Sequence, residues 1–178
     1  GSLGRELTRT LSDEHTVRAL DNHESGLAAL KGDNVRLMLG DINDRERLDF
    51  ALGGCDVCIH TAAYKNLDLS EYNIESTFET NIFGTMNVVK ACMAAGVKKA
   101  VRVSSDKAVN PTSAYGISKL AQERIWLWAS RVFKGCDFIT GRFGNFIGSS
   151  GSCFEVWDRQ KEAGEKITVT SMGAERYF

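Results

Sequence analysis

The sequence predicts an α/β protein built on a doubly wound parallel sheet, with helices on both faces. Three observations carry that expectation. From residue 15 onward, short apolar runs alternate with helical stretches, the rhythm of strands joined by helical crossovers. The chain has 178 residues, 43% hydrophobic and 25% charged, enough for one domain with a core. Polar and small residues recur where the apolar runs end, and in such a sheet the strand ends form one ligand-binding rim.

The elements follow in order. "RELTRTL" is a helix, and "TVRALD" is a strand ending at Asp21. "ESGLAALKG" is a short helix closed by Gly. "VRLMLGD" is the next strand, then the helix "DRERLDFALGG" and the strand "DVCIHTAA". Residues 71–95 form one long helix ending in "AAG". The strand "KAVRVSS" precedes a second long helix over residues 111–133, with Asn110 as its N-cap and Pro111 in its first position. The strand "DFITGRF" leads to a Gly/Ser loop, a helix and a strand at "KITVTS". The expected division is a nucleotide-binding domain over residues 1–146 and part of a substrate-binding region over 147–178. The chain reads as cut at both ends, with a first strand missing ahead of Gly1.

Net charge is −1, which favours a small-molecule ligand over nucleic acid or an anionic membrane. No apolar run is long enough to span a bilayer and no signal peptide is visible, so a cytoplasmic location is expected. The five cysteines include "CDVC", but residues three apart in a strand point to opposite faces. No second Cys/His cluster completes a metal site, so buried thiols are expected. His15, His23 and His60 are scattered, and structural roles are expected for each.

Gly1 and Gly4, with Ser2 and Leu3 between them, match the last two glycines of a G-x-x-G-x-x-G loop. Such a loop brings backbone close to a pyrophosphate at a helix N-terminus. An expression-tag scar beginning Gly-Ser is the rival reading. Asp21, about 20 residues further on, stands where a carboxylate accepts from the ribose 2′-hydroxyl. It favours NAD over NADP, and Asn22 stands where an Arg would hold a 2′-phosphate. Asp41 ends the next strand and can accept from the adenine amine. With Ile42, Ala62 and Ala63 these residues line the expected NAD(P) site.

In "SSDKAVNPTSAYGISK", Tyr115 and Lys119 lie one turn apart on a helix face. An ammonium there lowers the Tyr pKa and holds a nicotinamide ribose, so the phenolate can take a hydroxyl proton. Ser105, at the end of the preceding strand, can hydrogen-bond the same hydroxyl. A surface Tyr and Lys on an amphipathic helix is the alternative for a bare Y-x-x-x-K. Oxidation of a hydroxyl needs no more than this couple, which leaves Asp106 and Lys107 to be explained.

These features resemble the extended short-chain dehydrogenase/reductase superfamily, whose domain is Rossmann-like. More narrowly, "SSDKAVNPTSAYGISK" is similar to the S-[ST]-D-K-A-x-N-P segment of 5-inverting UDP-N-acetylglucosamine 4,6-dehydratases. "HTAAYKNLDLSEYN", "TNIFGTMNV", "RFGNFIGSSGS" and "ITVTSMGAERYF" resemble segments in the same order there. The resemblance implies a lyase with an internal redox cofactor acting on a UDP-sugar. Tyr115 takes the 4-hydroxyl proton, Lys107 as a neutral amine removes the C5 proton, and a protonated Asp106 donates to the departing 6-hydroxyl. It also implies that burial shifts both pKa values. Asn81 would order the Lys119 side of the cofactor site through water. Lys65, Asn145, Ser152 and Arg176 would hold the substrate, although Asn145 can equally be a left-handed turn residue. Two departures stand out, Asn66 where a His is expected and Glu155 where a Pro is. A UDP-sugar 4-epimerase, a 5-retaining dehydratase and a non-catalytic nucleotide-binding protein are the competing readings. A homodimer or higher oligomer is expected, because Ile125, Trp126, Leu127 and Trp128 cannot share one helix face.

Overall fold

A computed structural model of the chain describes residues 1–149, 152–169, 171 and 173. Helix α1 (Ser2–Leu11) leads to β1 (Val17–Asp21), α2 (Glu24–Ala28), β2 (Val35–Leu39), α3 (Arg45–Leu52) and β3 (Val57–His60). Then come α4 (Leu67–Tyr72), α5 (Ile74–Phe78), a π-helical turn (Glu79–Gly84) and α6 (Thr85–Ala95). Strand β4 (Lys99–Ser105) runs into a 3₁₀ turn (Asp106–Ala108), followed by α7 (Ala114–Val132), β5 (Asp137–Phe143) and α8 (Cys153–Glu162).

All strand pairing is parallel. β1 pairs with β2 from Val17↔Val35 to Asp21↔Leu39. β3, β4 and β5 form a second ladder in that order, placing His60, Arg102 and Thr140 side by side. Side chains connect the two units. Arg18 Nη1 donates to the carbonyls of Ala51 (3.0 Å) and Gly53 (2.7 Å) at the end of α3. Asn87 on α6 donates to the Ile42 and Asn43 carbonyls, both at 3.3 Å. Gly84 lets the π-helical turn settle on Ile42, since a Cβ there would lie 2.6 Å from Ile42 Cδ1.

The core lies between the β3–β5 sheet and α3, α6 and α7. Val88, Val89, Ala91, Cys92, Val97, Ala100, Trp126 and Ala129 fill it. Trp126 stacks on His60 with centroids 5.8 Å apart and meets Phe138 edge-on at 5.4 Å. Cys58, Cys92 and Cys136 are buried as expected, whereas Cys55 is half-buried and Cys153 exposed. Among the described residues no His/Cys/Asp/Glu cluster can hold a metal, and no helix is long and apolar enough to cross a membrane.

Three expectations are corrected. The long helix over 71–95 is broken into α5, the π-helical turn and α6. Asn73, at φ −125° and ψ 55°, separates α4 from α5. At the π-helical turn the Asn81 carbonyl accepts from Thr85 Oγ1 (2.7 Å) and Gln122 Nε2 (2.6 Å). Those side chains bind a carbonyl that a regular helix would give to its backbone. Helix α7 starts at Ala114, not Pro111. Asn110 takes φ 45°, outside the extended region an N-cap needs, and Ser113 caps instead, its Oγ accepting from Gly116 N at 3.1 Å. Residues 166–169 form no strand, because Thr168 binds back onto α8. Its carbonyl accepts from Trp157 Nε1 at 2.8 Å and its N–H donates to Gln160 Oε1 at 3.1 Å.

Candidate active site

The strand ends converge on one rim. Gly1 precedes α1, and a Cβ on Gly4 would stand 3.4 Å from Thr61 Oγ1, just past β3. This brings the start of α1 beside the end of β3, next to Ala62 and Ala63. At the end of β1, Asp21 accepts from His23 N at 2.9 Å and lies 3.8 Å from the Gly1 backbone nitrogen. Asp41 accepts from Asn22 Nδ2 and from Asn43 N, both at 2.8 Å. Two carboxylates, a close-packed glycine and a helix N-terminus on one rim suit a dinucleotide. Ile42, next to Asp41, has its side chain buried in the core.

The second half of the site grows from β4. Strand alternation turns Ala100, Arg102 and Ser104 toward the helices. The chain then tightens into the 3₁₀ turn, which carries Asp106 and Lys107. Gly116 lets α7 press against that turn, for a Cβ there would lie 2.5 Å from the Lys107 carbonyl oxygen. Glu71 of α4 pins the same helix start, its Oε1 accepting from Ala114 N at 2.6 Å. A carboxylate suits a helix N-terminus electrostatically. Together these contacts seat the start of α7, and Tyr115 with it, against the turn that follows Ser105.

Tyr115 is 8% exposed and Lys119 5%. Lys119 Nζ donates to the Val103 carbonyl at 2.7 Å. Burial pushes the Lys119 pKa down to about 7, helped by the Arg102 cation and opposed by Glu123. The Tyr115 pKa is raised, not lowered: burial outweighs the Ser105 hydrogen bond and the Arg102 charge, and Asp106 adds to the rise. The charge that favours phenolate therefore comes from Arg102, a residue sequence reasoning passed over.

Asp106 and Lys107 form an ion pair, Oδ1 to Nζ 3.0 Å, with side chains 55% and 27% exposed. Ser105 Oγ donates to the same Oδ1 at 2.9 Å. Burial pushes the Asp106 pKa up, but the hydrogen bonds from Lys107 and Ser105 outweigh it, and the net shift is downward. For the Asp106 carboxyl this runs against the expected upward shift, because the hydrogen bonds to its ionised form outweigh its slight burial.

The remaining expected residues are less concentrated. Asn81 is fully buried, its Nδ2 donating to the Tyr64 carbonyl and Ser118 Oγ, both at 2.9 Å, and its Oδ1 accepting from Tyr64 N at 2.8 Å. It braces the loop after β3 against α7. Lys65 is exposed in that loop. Ser152 caps α8, its Oγ accepting from Glu155 N at 3.4 Å. Asn145 is half-buried and has no positive φ. Asn66 caps α4, accepting from Leu69 N at 2.9 Å. Arg176 lies outside the described residues.

A parallel α/β sheet with a rim of this composition and a Tyr-x-x-x-Lys helix defines a Rossmann-like protein of the extended short-chain dehydrogenase/reductase type. The chain belongs to the polysaccharide biosynthesis protein family, whose sequence pattern matches residues 1–178. It is 36% identical over its whole length to an uncharacterized membrane protein of Methanocaldococcus jannaschii, covering 56% of that protein. It is 34% identical over 97% of its length to a UDP-N-acetylglucosamine 4,6-dehydratase (inverting) of Campylobacter jejuni, covering 55% of that enzyme. Among solved structures, Pen from Bacillus thuringiensis superposes with TM-score 0.84 at 36% identity, over 93% of this chain and 54% of that one. The chain thus spans about half the length of the relatives it matches.

Proposed function

We propose that the full-length protein is a nucleotide-sugar 4,6-dehydratase acting on UDP-N-acetylglucosamine with inversion at C5, giving a 6-deoxy-4-keto sugar for glycan synthesis. The observation that carries this reading is the Asp106–Lys107 pair, held beside Tyr115 by the close approach at Gly116. The similarity to the Campylobacter jejuni dehydratase supports it.

Gly1 to Gly4, Asp21, Asn22, Asp41, Ile42, Ala62 and Ala63 would hold a nicotinamide cofactor, with NAD preferred because Asp21 repels a 2′-phosphate. When bound, that cofactor supplies the oxidant for C4 and the reductant for C6. Tyr115, as phenolate, takes the 4-hydroxyl proton while Ser105 orients that hydroxyl. The 4-ketone acidifies the C5 hydrogen, which Lys107 removes as a neutral amine. Asp106 gives its proton to the 6-hydroxyl, which leaves as water. Lys65, Asn145, Ser152 and Arg176 are assigned to the nucleotide diphosphate and sugar.

The ion pair seen in the free chain differs from the working state by one proton. Transfer along the 3.0 Å hydrogen bond from Lys107 Nζ to Asp106 Oδ1 yields a neutral amine and a carboxylic acid together. Water favours the charged form, and a sugar that displaces water favours the neutral one, because desolvation penalises both charges.

Proton NMR of the full-length protein with UDP-N-acetylglucosamine in deuterated water tests the proposal. The expected product carries deuterium at C5 of an inverted 6-deoxy-4-keto sugar. Lys107→Ala should cut its formation about 10²–10⁴-fold. Near wild-type turnover would reduce Lys107 to a structural role, and a 4-epimer with its 6-hydroxyl intact would establish the epimerase instead.

A further inference from the structure

Arg102 is completely buried, yet among the described residues no carboxylate forms an ion pair with it. Its Nη2 donates to Gln122 Oε1 at 3.0 Å, while Nε and Nη1 have no hydrogen-bond partner among the described residues. The acid nearest in the sequence of α7, Glu123, is committed elsewhere. It accepts two bonds from Arg142, at 2.8 and 2.6 Å, and one from Ser104 at 2.6 Å. A buried, uncompensated guanidinium is costly, and an apolar residue of similar size would commonly leave the fold as stable or more so. Stability alone therefore does not account for it.

Its surroundings do. Arg102 Nη2 lies 3.5 Å from the Val103 carbonyl oxygen, the same oxygen that accepts from Lys119 Nζ at 2.7 Å. A second connection runs through Gln122, whose Nε2 donates to the Asn81 carbonyl at 2.6 Å. Asn81 Nδ2 then donates to Ser118 Oγ, and Ser118 Oγ donates to the Tyr115 carbonyl at 2.7 Å. One side chain thus abuts the amine and, through three residues, the backbone of the phenol.

We propose that Arg102 is a positioning residue for the Tyr115–Lys119 couple, a fixed buried cation that shares the Val103 carbonyl with Lys119 and adds to burial in disfavouring charge on that amine. The groups facing the couple are His60 from β3, Arg102 from β4, Asp106 from the 3₁₀ turn and Glu123 on α7 itself, with Arg142 of β5 beyond Glu123. His60 stays neutral, Glu123 is paired to Arg142, and Asp106 opposes the phenolate. That leaves Arg102 as the cation favouring phenolate at Tyr115 and free amine at Lys119. Its guanidinium, held down to about 10 by burial, remains charged wherever Lys119 titrates.

The role of the couple rests on the dehydratase reading, but the charge on Lys119 can be measured without turnover. The full-length protein is labelled with ¹³C-lysine, and the Lys119 resonance, assigned by its loss in Lys119→Arg, is titrated by NMR. In Arg102→Met the amine should titrate at higher pH, with an ammonium-to-amine ratio about tenfold higher at the wild-type midpoint; Arg102→Lys should stay near wild type. Should Arg102→Met fail to fold, Gln122→Glu sets a carboxylate against Nη2 and must move Lys119 in the same direction. An unmoved Lys119 in whichever of these folds overturns the proposal. The pH limb for reduced-nicotinamide formation with the nucleotide sugar should move with the NMR midpoint. A wild type that makes no such signal defeats the dehydratase reading and leaves the NMR test of Arg102 standing.

Discussion

His60 sits wholly inside the molecule, its Nε2 2.9 Å from Thr85 Oγ1. Burial, reinforced by the Lys119 and Arg102 charges, holds its pKa down at about 3. The unfolded chain titrates His near ~6.5, so below that pH it binds a proton that the folded chain refuses. The contribution is fully present above about 6.5 and is lost progressively as pH falls toward 3. Lys119 tilts stability the same way at higher pH, since its folded value of about 7 lies below the ~10.4 of an exposed lysine. Urea denaturation should show stability dropping by a few kcal/mol between pH 7 and pH 4, and His60→Gln should flatten part of that slope. An unchanged slope in the variant would place the proton uptake elsewhere. At this scale the sequence was legible in placement: Tyr115 and Lys119 share helix α7, and Asp21 ends β1. It was silent about Arg102, because an Arg in an alternating strand reads as exposed until its neighbours show that Ala100 and Ser104 face inward with it.

Helix α7 and the 3₁₀ turn form a single device, and Gly116 is the contact point. An added methyl 2.5 Å from the Lys107 carbonyl meets backbone, which cannot rotate away. Gly116→Ala should therefore push the turn off the helix, costing about 1–3 kcal/mol as overpacking typically does. Because Lys107 moves relative to Tyr115, dehydration should fall further than cofactor binding does. Comparing NAD titration with product formation in the same variant checks this, and equal losses in both would indicate general damage. The five observed strands and most helices could be read from apolar rhythm alone, including β1 ending at Asp21. The breaks could not. The π-helical turn exists because Thr85 and Gln122 reach the Asn81 carbonyl from other turns, and Asn110 avoids its expected capping role through a left-handed φ. Both are tertiary effects that override local preference.

On the scale of the molecule, several large apolar side chains lie outside the core. Leu69, Tyr72 and Phe83 are 63%, 90% and 65% exposed, and on α7 Leu127 and Trp128 remain exposed while Trp126 is buried. Consecutive aromatic and aliphatic residues on α7 thus do divide between two faces. The full-length protein is expected to form at least a dimer through the α4–α6 and α7 helices. Light scattering at micromolar concentration checks this, and Tyr72→Glu with Phe83→Glu should shift the mass toward one chain; a wild type that is strictly monomeric would refute it. The stack of Trp126 on His60 has a further consequence, an optical one. An indole sealed from water emits at shorter wavelength than Trp128 or the half-buried Trp157. Trp126 touches β3 through His60, β5 through Phe138 and β4 through its Nε1 bond to the Ala100 carbonyl at 3.3 Å. Its glow can stay blue only while all three strands keep their places, so the colour of the protein's own fluorescence records whether the sheet beneath the site is assembled.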